Sequence, residues 1–261
     1  MAYLSYSWRR VAVALLAVGG IVLTSLILLR DMHDTMHDLV FEPLPVSVGP
    51  GELEQLVDRP DVLLNKLAVL LPINGNTDMR FYRNTWLRKY LYPVCDWPGK
   101  DCRIVCNRTS TYKTIDRKTI CMAREAQKIA PSKEFFIKLD DDAFVDRDYI
   151  VRVISKFLGR QNPVYISDFI LNWDKSNQGP LNKVWYGNGK FYMFNRPLLD
   201  CLNTDIQYQG RRAEDAVFGG MVSTGCGEAN VTYVKEDDNW IWHRTYESLN
   251  KFIDLAHIKN H

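Results

Sequence analysis

The segment EFFIKLDDDAFVD, residues 134–146, constrains the fold most, because three consecutive carboxylates follow an apolar run that is typical of a buried strand. Asp140, Asp141 and Asp142 repel one another, so a fold that holds them together needs a compensating charge. If the strand geometry continues through them, Asp140 and Asp142 point to one side and Asp141 to the other. Two carboxylates at i and i+2 suit Mg²⁺ or Mn²⁺ held jointly with phosphate oxygens, which implies a diphosphate ligand. The alternative is a solvated acidic turn that caps the following helix.

Short apolar runs alternate with helix-period segments along the chain. Strands are predicted at residues 66–73, 102–107 and 134–139, and helices at 80–91, 115–130 and 147–159. In the second helix Ile115, Met122, Ala126 and Ile129 share one face, and Gly159 is suited to ending the third. This alternation predicts an α/β fold with a mainly parallel sheet and helices on both faces. Ligands of such sheets bind beyond the carboxyl ends of the strands, where the three aspartates lie.

The N-terminal residues predict a membrane anchor. After Arg9 and Arg10, residues 11–29 read VAVALLAVGGIVLTSLILL, nineteen residues without a charge. As a helix they are about 28 Å long, near the hydrocarbon thickness of a bilayer. A cleaved signal peptide, the alternative, has a shorter apolar core of roughly 7 to 15 residues. The arginines before the span and the aspartates after it predict a cytosolic tail at residues 1–10 and a lumenal remainder.

Residues 30–60 are predicted to form a stem, because FEPLPVSVGPG concentrates proline and glycine, and residues 61–261 to form the folded lumenal domain. Two sequons, at Asn107 and Asn230, predict N-glycans. All six cysteines follow the span, where an oxidising lumen permits disulfides, and they allow fifteen pairings. They form no CxxC pair or Cys/His cluster of the kind that binds zinc.

Composition agrees with one main globular domain, at 46% hydrophobic and 12% aromatic residues. The formal charge of +2 comes from 33 basic and 31 acidic residues mixed along the chain, without a sustained basic run. Nucleic acid is therefore excluded as the expected partner.

Four motifs together resemble a known family. FIKLDDDAFV, RNTW at residues 83–86, GNG at 187–189 and EDAVFGG at 214–220 occur in the order found in the β-1,3-galactosyltransferase and fringe-like glycosyltransferases, glycosyltransferase family 31, over roughly residues 66–245. The resemblance implies a GT-A fold, in which a Rossmann-like nucleotide half joins an acceptor half. It also implies a type II membrane protein of the Golgi, or of the endoplasmic reticulum, that uses a UDP-sugar and Mn²⁺ (or Mg²⁺) and inverts the anomeric carbon.

The resemblance also implies a metal and nucleotide site. It makes Asp142 the chief metal ligand, Asp140 a contact to the nucleotide ribose and the hydrated metal, and Asp141 a further residue of the nucleotide site. Members of the family take another metal ligand from a late histidine, for which WIWHR offers His243. The alternative for His243 is a satisfied core histidine beside Trp242.

The remaining site residues follow from the other motifs. The resemblance makes Asp215 the general base that takes the acceptor proton, and Glu214 the residue that orients it or the acceptor. Both acids also suit the first turn of a helix, where they favour its dipole. Arg83, Gly187 and Gly189 are predicted contacts of the nucleotide-sugar, and the two glycines would let backbone approach the sugar closely.

The sequence departs from the family pattern after GNG and before RNTW. Lys190 stands where members usually have an aromatic residue, and Asp78 and Met79 occupy the places of an arginine pair. The predicted function is a metal-dependent hexosyltransferase, with galactose as the first choice of sugar and a glycan or glycoprotein as the acceptor. The alternatives are an N-acetylglucosaminyl- or glucosyltransferase of the same family, and a lumenal sugar-binding or accessory protein without turnover.

Overall fold

A computed structural model of the chain describes residues 59–111, 114–172, 179–208, 213–236 and 238–243. The predicted cytosolic tail and anchor, and nearly all of the predicted stem, lie outside these residues. Within the described ranges, no helix combines the length and apolar character needed to cross a bilayer.

Seven of the nine strands in the described part of the chain form one sheet. The strands are β1 (Leu67–Pro72), β2 (Leu91–Cys95), β3 (Ile104–Val105), β4 (Phe135–Leu139), β5 (Ala143–Val145), β6 (Val164–Asn172), β7 (Val184–Asn195), β8 (Thr232–Lys235) and β9 (Ile241–His243). The large sheet has the order β3-β2-β1-β4-β7-β6-β8, and β5 pairs with β9 separately. In the large sheet β7 runs antiparallel to its neighbours β4 and β6, and the other neighbours are parallel. The prediction of a mainly parallel sheet is confirmed.

Helices cover both faces of this sheet. They are α1 (Pro60–Leu64), α2 (Met79–Arg83), α3 (Ile115–Ile129), α4 (Arg147–Phe157), α5 (Arg196–Cys201) and α6 (Glu214–Cys226), with 3₁₀ turns at Trp86–Lys89, Glu228–Asn230 and Asp238–Trp240. On one face Val69, Ile137 and Met193 lie side by side in register and belong to one buried cluster with Ile150 and Ile154 of α4. This alternation of side chains follows from the twofold period of a strand.

The opposite face of the sheet is aromatic and packs against α6. The ring of Phe218 on α6 contacts Tyr165, Tyr192 and Phe194, with centroids 4.5–5.5 Å apart. Lys138 of β4 lies in register with Tyr192 on this face and is almost completely buried. A lysine in such a place needs anionic partners, and they define the site described below.

Most predicted elements are found with shifted ends. The strands at 66–73 and 134–139 and the helices at 115–130 and 147–159 are confirmed, and the strand at 102–107 is reduced to Ile104–Val105. Gly159 has φ +75° just beyond α4, as expected of a residue that ends a helix. On α3, Met122 and Ala126 are buried, but Ile129 is 40% exposed and does not complete the predicted apolar face.

The predicted helix over residues 80–91 is wrong in its second half. The helix ends at Arg83, Thr85 is extended, and after a 3₁₀ turn Leu91–Cys95 forms β2. β2 pairs in parallel with β1 on one side and β3 on the other. Both pairings depend on contacts with other strands, so the local periodicity of residues 80–91 does not reveal them.

All six cysteines form disulfides. The pairs are Cys95–Cys102, Cys106–Cys121 and Cys201–Cys226. The first closes the loop after β2, the second ties the end of β3 to α3, and the third joins the ends of α5 and α6. The sequence left these pairings open.

Candidate active site

The loop Asp140–Asp142 lies between β4 and β5, and the RNTW region holds its backbone in place. The hydroxyl of Tyr82 lies 3.1 Å from the carbonyl of Asp140 and 3.0 Å from that of Ala143. The indole nitrogen of Trp86 donates to the carbonyl of Val145 at 3.0 Å. These aromatic side chains are buried, so they fix the loop from the core side.

The helix after the loop is capped by a different residue. The carboxylate of Asp146 accepts the backbone N–H of Tyr149 at 2.8 Å, which makes Asp146 the N-cap of α4. The alternative of an acidic turn that caps this helix is confirmed for the turn at Asp140–Ala143, where the Ala143 N–H donates to the Asp140 carbonyl, but the capping residue is Asp146.

The three aspartates point to two sides, as predicted, but a turn and not a continued strand separates them: β4 ends at Leu139, and the Ala143 N–H donates to the Asp140 carbonyl at 3.1 Å. Ligand atoms of Asp140, Asp142 and His243 all lie within 4.8 Å of one another. Asp141 points away and accepts hydrogen bonds from the Asn74 amide at 2.9 Å and the Thr77 hydroxyl at 2.5 Å. Asp141 thus ties the loop to the turn after β1, and its predicted contact to a nucleotide stays a prediction.

The pairing of β9 with β5 brings His243 to the aspartates. Ala143 and His243 are direct partners, and His243 Nε2 lies 3.0 Å from Asp142 Oδ1. Trp242, the preceding residue, stacks on Phe144 with centroids 6.2 Å apart and packs against the core. Side chains alternate along a strand, so His243 faces away from this packing. Its side chain is 48% exposed, which excludes the alternative of a satisfied core histidine.

The chemistry of this donor set fits a divalent cation. Two carboxylates and one imidazole offer oxygen ligands that suit Mg²⁺ and Mn²⁺ and a nitrogen ligand that suits transition metals. Of the two ions, Mn²⁺ accepts both types, so the set favours it. The partly exposed position leaves room for further ligands from solvent or phosphate.

A residue that the sequence reasoning missed, Lys138, connects this cluster to the second acidic motif. Its ammonium donates to Asp140 Oδ1 at 2.6 Å, Glu214 Oε1 at 2.5 Å and the Gly189 carbonyl at 2.5 Å. Burial lowers the pKa of Lys138, but Glu214 and Asp140 outweigh burial and hold it above the ordinary value. Lys138 therefore stays charged. It holds the Asp140–Asp142 loop, the GNG segment and the start of α6 next to one another.

Glu214 and Asp215, at the start of α6, have different surroundings. Glu214 accepts from Lys138 through one oxygen and from the Thr119 hydroxyl, at 2.6 Å, through the other. Asp215 accepts the backbone N–H of Ala216 at 2.8 Å. Glu214 is thus fixed by charged and neutral donors on both oxygens, which suits a positioning role.

The pKa of Asp215 is raised above its ordinary value. Burial is the largest cause, and the charge of Glu214 adds to it, while the Ala216 N–H and Lys138 act in the opposite direction. A carboxylate with a raised pKa is a better proton acceptor than an ordinary aspartate. The surroundings of the two acids therefore suit Glu214 to a positioning role and make Asp215 the candidate base.

Glycines bring α6 close to β7. A Cβ added at Gly219 would lie 2.6 Å from the Trp185 carbonyl, and one at Gly189 would lie 3.3 Å from Glu214 Oε1 and 3.5 Å from Asp215 Oδ2. Gly189 thus leaves space beside both acids, as its predicted role requires. A Cβ at Gly187 would meet Ser167 at 2.6 Å, so the close approach at Gly187 is to strand β6.

Two other motif residues have partners of their own. Arg83 forms an exposed ion pair with Asp101, so its predicted contact to the nucleotide-sugar stays a prediction. Lys190, at the departure after GNG, lies 3.1 Å from the buried carboxylate of Glu236. A lysine at position 190 is therefore compensated by an acid at the end of β8.

The two sequon asparagines differ in their contacts. Asn107 is exposed and has φ +51°, whereas the Asn230 amide donates to the Cys226 carbonyl at 3.1 Å. Glycosylation at either residue stays a prediction.

Comparison with known proteins identifies the chain's relatives. The family model described as Galactosyltransferase matches residues 101–231, half of the chain. The chain belongs to the galactosyltransferase family. It is therefore a glycosyltransferase, and the resemblance drawn from the motifs is confirmed. The matched range contains the Asp140–Asp142 loop, GNG and Glu214–Asp215, while Arg83 and His243 lie outside it.

Among solved structures, the chain is similar to a glycosyltransferase involved in the glycosylation of the major capsid of PBCV-1. The two share 14% sequence identity over 72% of this chain and 98% of that chain, with a TM-score of 0.42. No curated protein matches the chain.

Replacing Lys138 by methionine is expected to lower the free energy of unfolding by about 2 kcal/mol, because Glu214 and the Gly189 carbonyl lose a buried donor. Urea unfolding followed by circular dichroism measures this. Lys128→Met is the matched control, since Lys128 forms an exposed pair with Glu125 and such pairs contribute little. An equal loss in both variants would contradict the role of Lys138.

Proposed function

We propose that this galactosyltransferase-family protein is an inverting, metal-dependent hexosyltransferase that transfers a sugar from a UDP-sugar to a glycan or glycoprotein acceptor. The proposal takes galactose as the first choice of sugar. The observation that carries it is the buried Lys138, which joins Asp140 of the candidate metal cluster to Glu214 beside Asp215. One ammonium thus links a site suited to a diphosphate with a site suited to a proton acceptor.

The fold supports a GT-A assignment. The Asp140–Asp142 loop lies at the carboxyl end of β4. In the sheet, β4 has a parallel neighbour, β1, on one side and an antiparallel neighbour, β7, on the other. Nucleotides bind α/β sheets beyond the carboxyl ends of their strands. The acids of α6 lie on the side of β7, where an acceptor half is expected.

Asp140, Asp142 and His243 would hold the cation, which when bound supplies positive charge to the leaving diphosphate. Lys138 keeps Asp140 oriented from the core side. Asp141 keeps the loop attached to the turn after β1, so the backbone between Asp140 and Asp142 is held on both sides.

Asp215 would take the proton from the acceptor hydroxyl. The acceptor oxygen then forms a bond to the anomeric carbon while the bond from that carbon to the UDP oxygen breaks, and the electron pair leaves with UDP. A single displacement of this kind inverts the anomeric carbon. Glu214, held by Lys138 and Thr119, would keep the start of α6 in position for this step.

The cell compartment is also a proposal. Three disulfides in the described part of the chain support an oxidising compartment. Together with the predicted anchor at residues 11–29, they favour a single-pass type II protein of the Golgi or endoplasmic reticulum membrane with a lumenal domain.

The test is a panel of UDP-sugars offered to the purified full chain in detergent, with hydrolysis and transfer both measured. We expect Mn²⁺-dependent release of UDP from UDP-galactose, lost on chelation with EDTA and restored by added Mn²⁺. Faster turnover of UDP-N-acetylglucosamine or UDP-glucose would show that the donor sugar is one of these and not galactose. Binding of a UDP-sugar without any turnover would contradict the proposed enzymatic function and favour a sugar-binding or accessory role.

A further inference from the structure

Trp97 is the most exposed large hydrophobic side chain in the described part of the chain, at 55%. It lies in the loop after β2, which the Cys95–Cys102 disulfide closes. A single exposed apolar ring is common on protein surfaces and by itself indicates nothing. Trp97 differs from such a residue in what lies beside it, which is the first of the two sequons.

The loop that carries Trp97 is short and cross-linked. Cys95 is buried at the end of β2, and the backbone N–H of Cys102 donates to the Gly99 carbonyl at 3.1 Å. Pro98 follows Trp97 and restricts the backbone conformation of Trp97. The ring is therefore presented by a constrained backbone, which has little conformational freedom to lose when another group covers the ring.

The sequon Asn107–Thr109 is bonded to this loop. The backbone N–H of Arg108 donates to the Asp96 carbonyl at 3.1 Å. The indole nitrogen of Trp97 donates to the Thr109 hydroxyl oxygen at 3.3 Å. The second and third residues of the sequon are thus fixed against Asp96 and Trp97, so the ring belongs to the immediate surroundings of the sequon.

Asn107, the first residue of the sequon, is exposed and has φ +51°, a conformation that asparagine adopts more readily than most residues. Its Cα lies at most about 7 Å from the Cα of Thr109, because two residues separate them along the chain. The Thr109 hydroxyl contacts the indole of Trp97. A sugar attached to the Asn107 amide would therefore start close to the Trp97 ring.

The chemistry of the Trp97 ring fits the first sugar of an N-glycan. N-Acetylglucosamine has a ring face rich in C–H groups, and a tryptophan ring offers a large, flat apolar surface to such a face. The indole N–H is bonded to Thr109, so the ring would meet the sugar through its apolar surface. Contact between the two would remove apolar area from water on both sides.

We propose that Asn107 carries an N-glycan whose first N-acetylglucosamine packs on the exposed ring of Trp97. In the modification Asn107 Nδ2 forms a bond to the anomeric carbon of the sugar and loses one proton. The bond from that carbon to the diphosphate of a lipid-linked glycan donor breaks, and the electron pair leaves with the diphosphate. This arrangement needs a lumenal domain and does not depend on the proposed transfer reaction.

The test measures the oxidation of Trp97 in the full chain, made in secretory cells that attach high-mannose glycans and purified in detergent. Peptide mass spectrometry establishes whether Asn107 is occupied, and hydroxyl-radical footprinting gives the oxidation rate of each tryptophan. We expect Asn107 to be glycosylated and Trp97 to be oxidised severalfold more slowly than in Asn107→Gln. Trimming the glycan to its first sugar with endoglycosidase H should keep this protection, because the first sugar makes the contact.

Two controls separate a local contact from a change in fold. Trp240, 37% exposed and next to β9, should be oxidised at the same rate in every sample. Asn230→Gln makes the same substitution at the other sequon and should leave Trp97 protected.

An unoccupied Asn107 would overturn the proposal, and so would equal oxidation of Trp97 in the glycosylated chain and in Asn107→Gln. Loss of the protection on trimming to one sugar would also overturn it, since the first sugar would then not cover the ring.

Discussion

Replacing Asp215 by asparagine is expected to lower the rate of sugar transfer by about 10² to 10⁴-fold while the affinity for the UDP-sugar stays the same. Asparagine keeps the shape of the side chain and can still accept the Ala216 N–H. It cannot take the proton of the acceptor hydroxyl. Transfer rate, donor affinity and melting temperature, all measured on one preparation, test this expectation.

The same substitution should leave the melting temperature unchanged or raise it. Burial and the charge of Glu214 both raise the pKa of Asp215, so the folded state disfavours its charged form. A carboxyl whose pKa is raised by folding stabilises the protein below its unfolded pKa and loses that contribution as the pH rises through its folded pKa. The neutral asparagine removes this cost at neutral pH. An aspartate with a purely structural role would give the opposite result, a lower melting temperature with near-normal activity of the folded fraction.

The pH dependence of transfer follows from the same shift. The base must be deprotonated to act, so the transfer rate should fall as the pH decreases through the raised pKa of Asp215. In Asp215→Asn this acidic limb should disappear from the pH profile of the residual activity. Near-normal transfer by Asp215→Asn would rule out the base role and direct attention to Glu214, the other acid of the motif.

The sequence predicted the local features of the site well. The sides to which the three aspartates point were predicted correctly, but the cause is different: β4 ends at Leu139, and a turn closed by the Ala143 N–H and the Asp140 carbonyl separates Asp141 from Asp140 and Asp142. The family resemblance predicted His243 as a metal ligand, although the position of His243 beside the aspartates depends on the pairing of β9 with β5. Both predictions needed only short-range geometry or a motif.

The sequence did not predict contacts that join distant segments. Lys138 interacts with Glu214, seventy-six positions away, and Asp116 with Tyr208, ninety-two positions away. A signal for Lys138 was present, since a lysine inside the apolar run FFIKL must be buried with the strand. β2 was missed for the same reason, because its identity as a strand depends on pairing with β1 and β3.

Replacing Asp142 by asparagine is expected to abolish the Mn²⁺-dependent part of UDP binding. Asp142 shares the candidate metal cluster with Asp140 and His243, and its side chain is 50% exposed, so the substitution removes a charged ligand without opening the core. Isothermal titration of UDP with and without Mn²⁺ measures the effect, and electron paramagnetic resonance of added Mn²⁺ measures metal binding alone. His243→Ala should weaken metal binding less, because two carboxylates remain.

Asp141→Asn is the matched control, since it makes the same chemical change one residue away. Asp141 bonds to Asn74 and Thr77 on the other side of the loop and is not one of the three residues of the candidate metal cluster, so its variant should keep Mn²⁺ binding as measured by electron paramagnetic resonance. Unchanged UDP affinity in Asp142→Asn would overturn its assignment as a metal ligand. Equal losses in both variants would mean that the loop needs its total charge or its shape. A loss of metal binding in Asp142→Asn alone would indicate direct ligation, because the two variants lose the same charge from the same turn and differ in the side of the loop to which the side chain points.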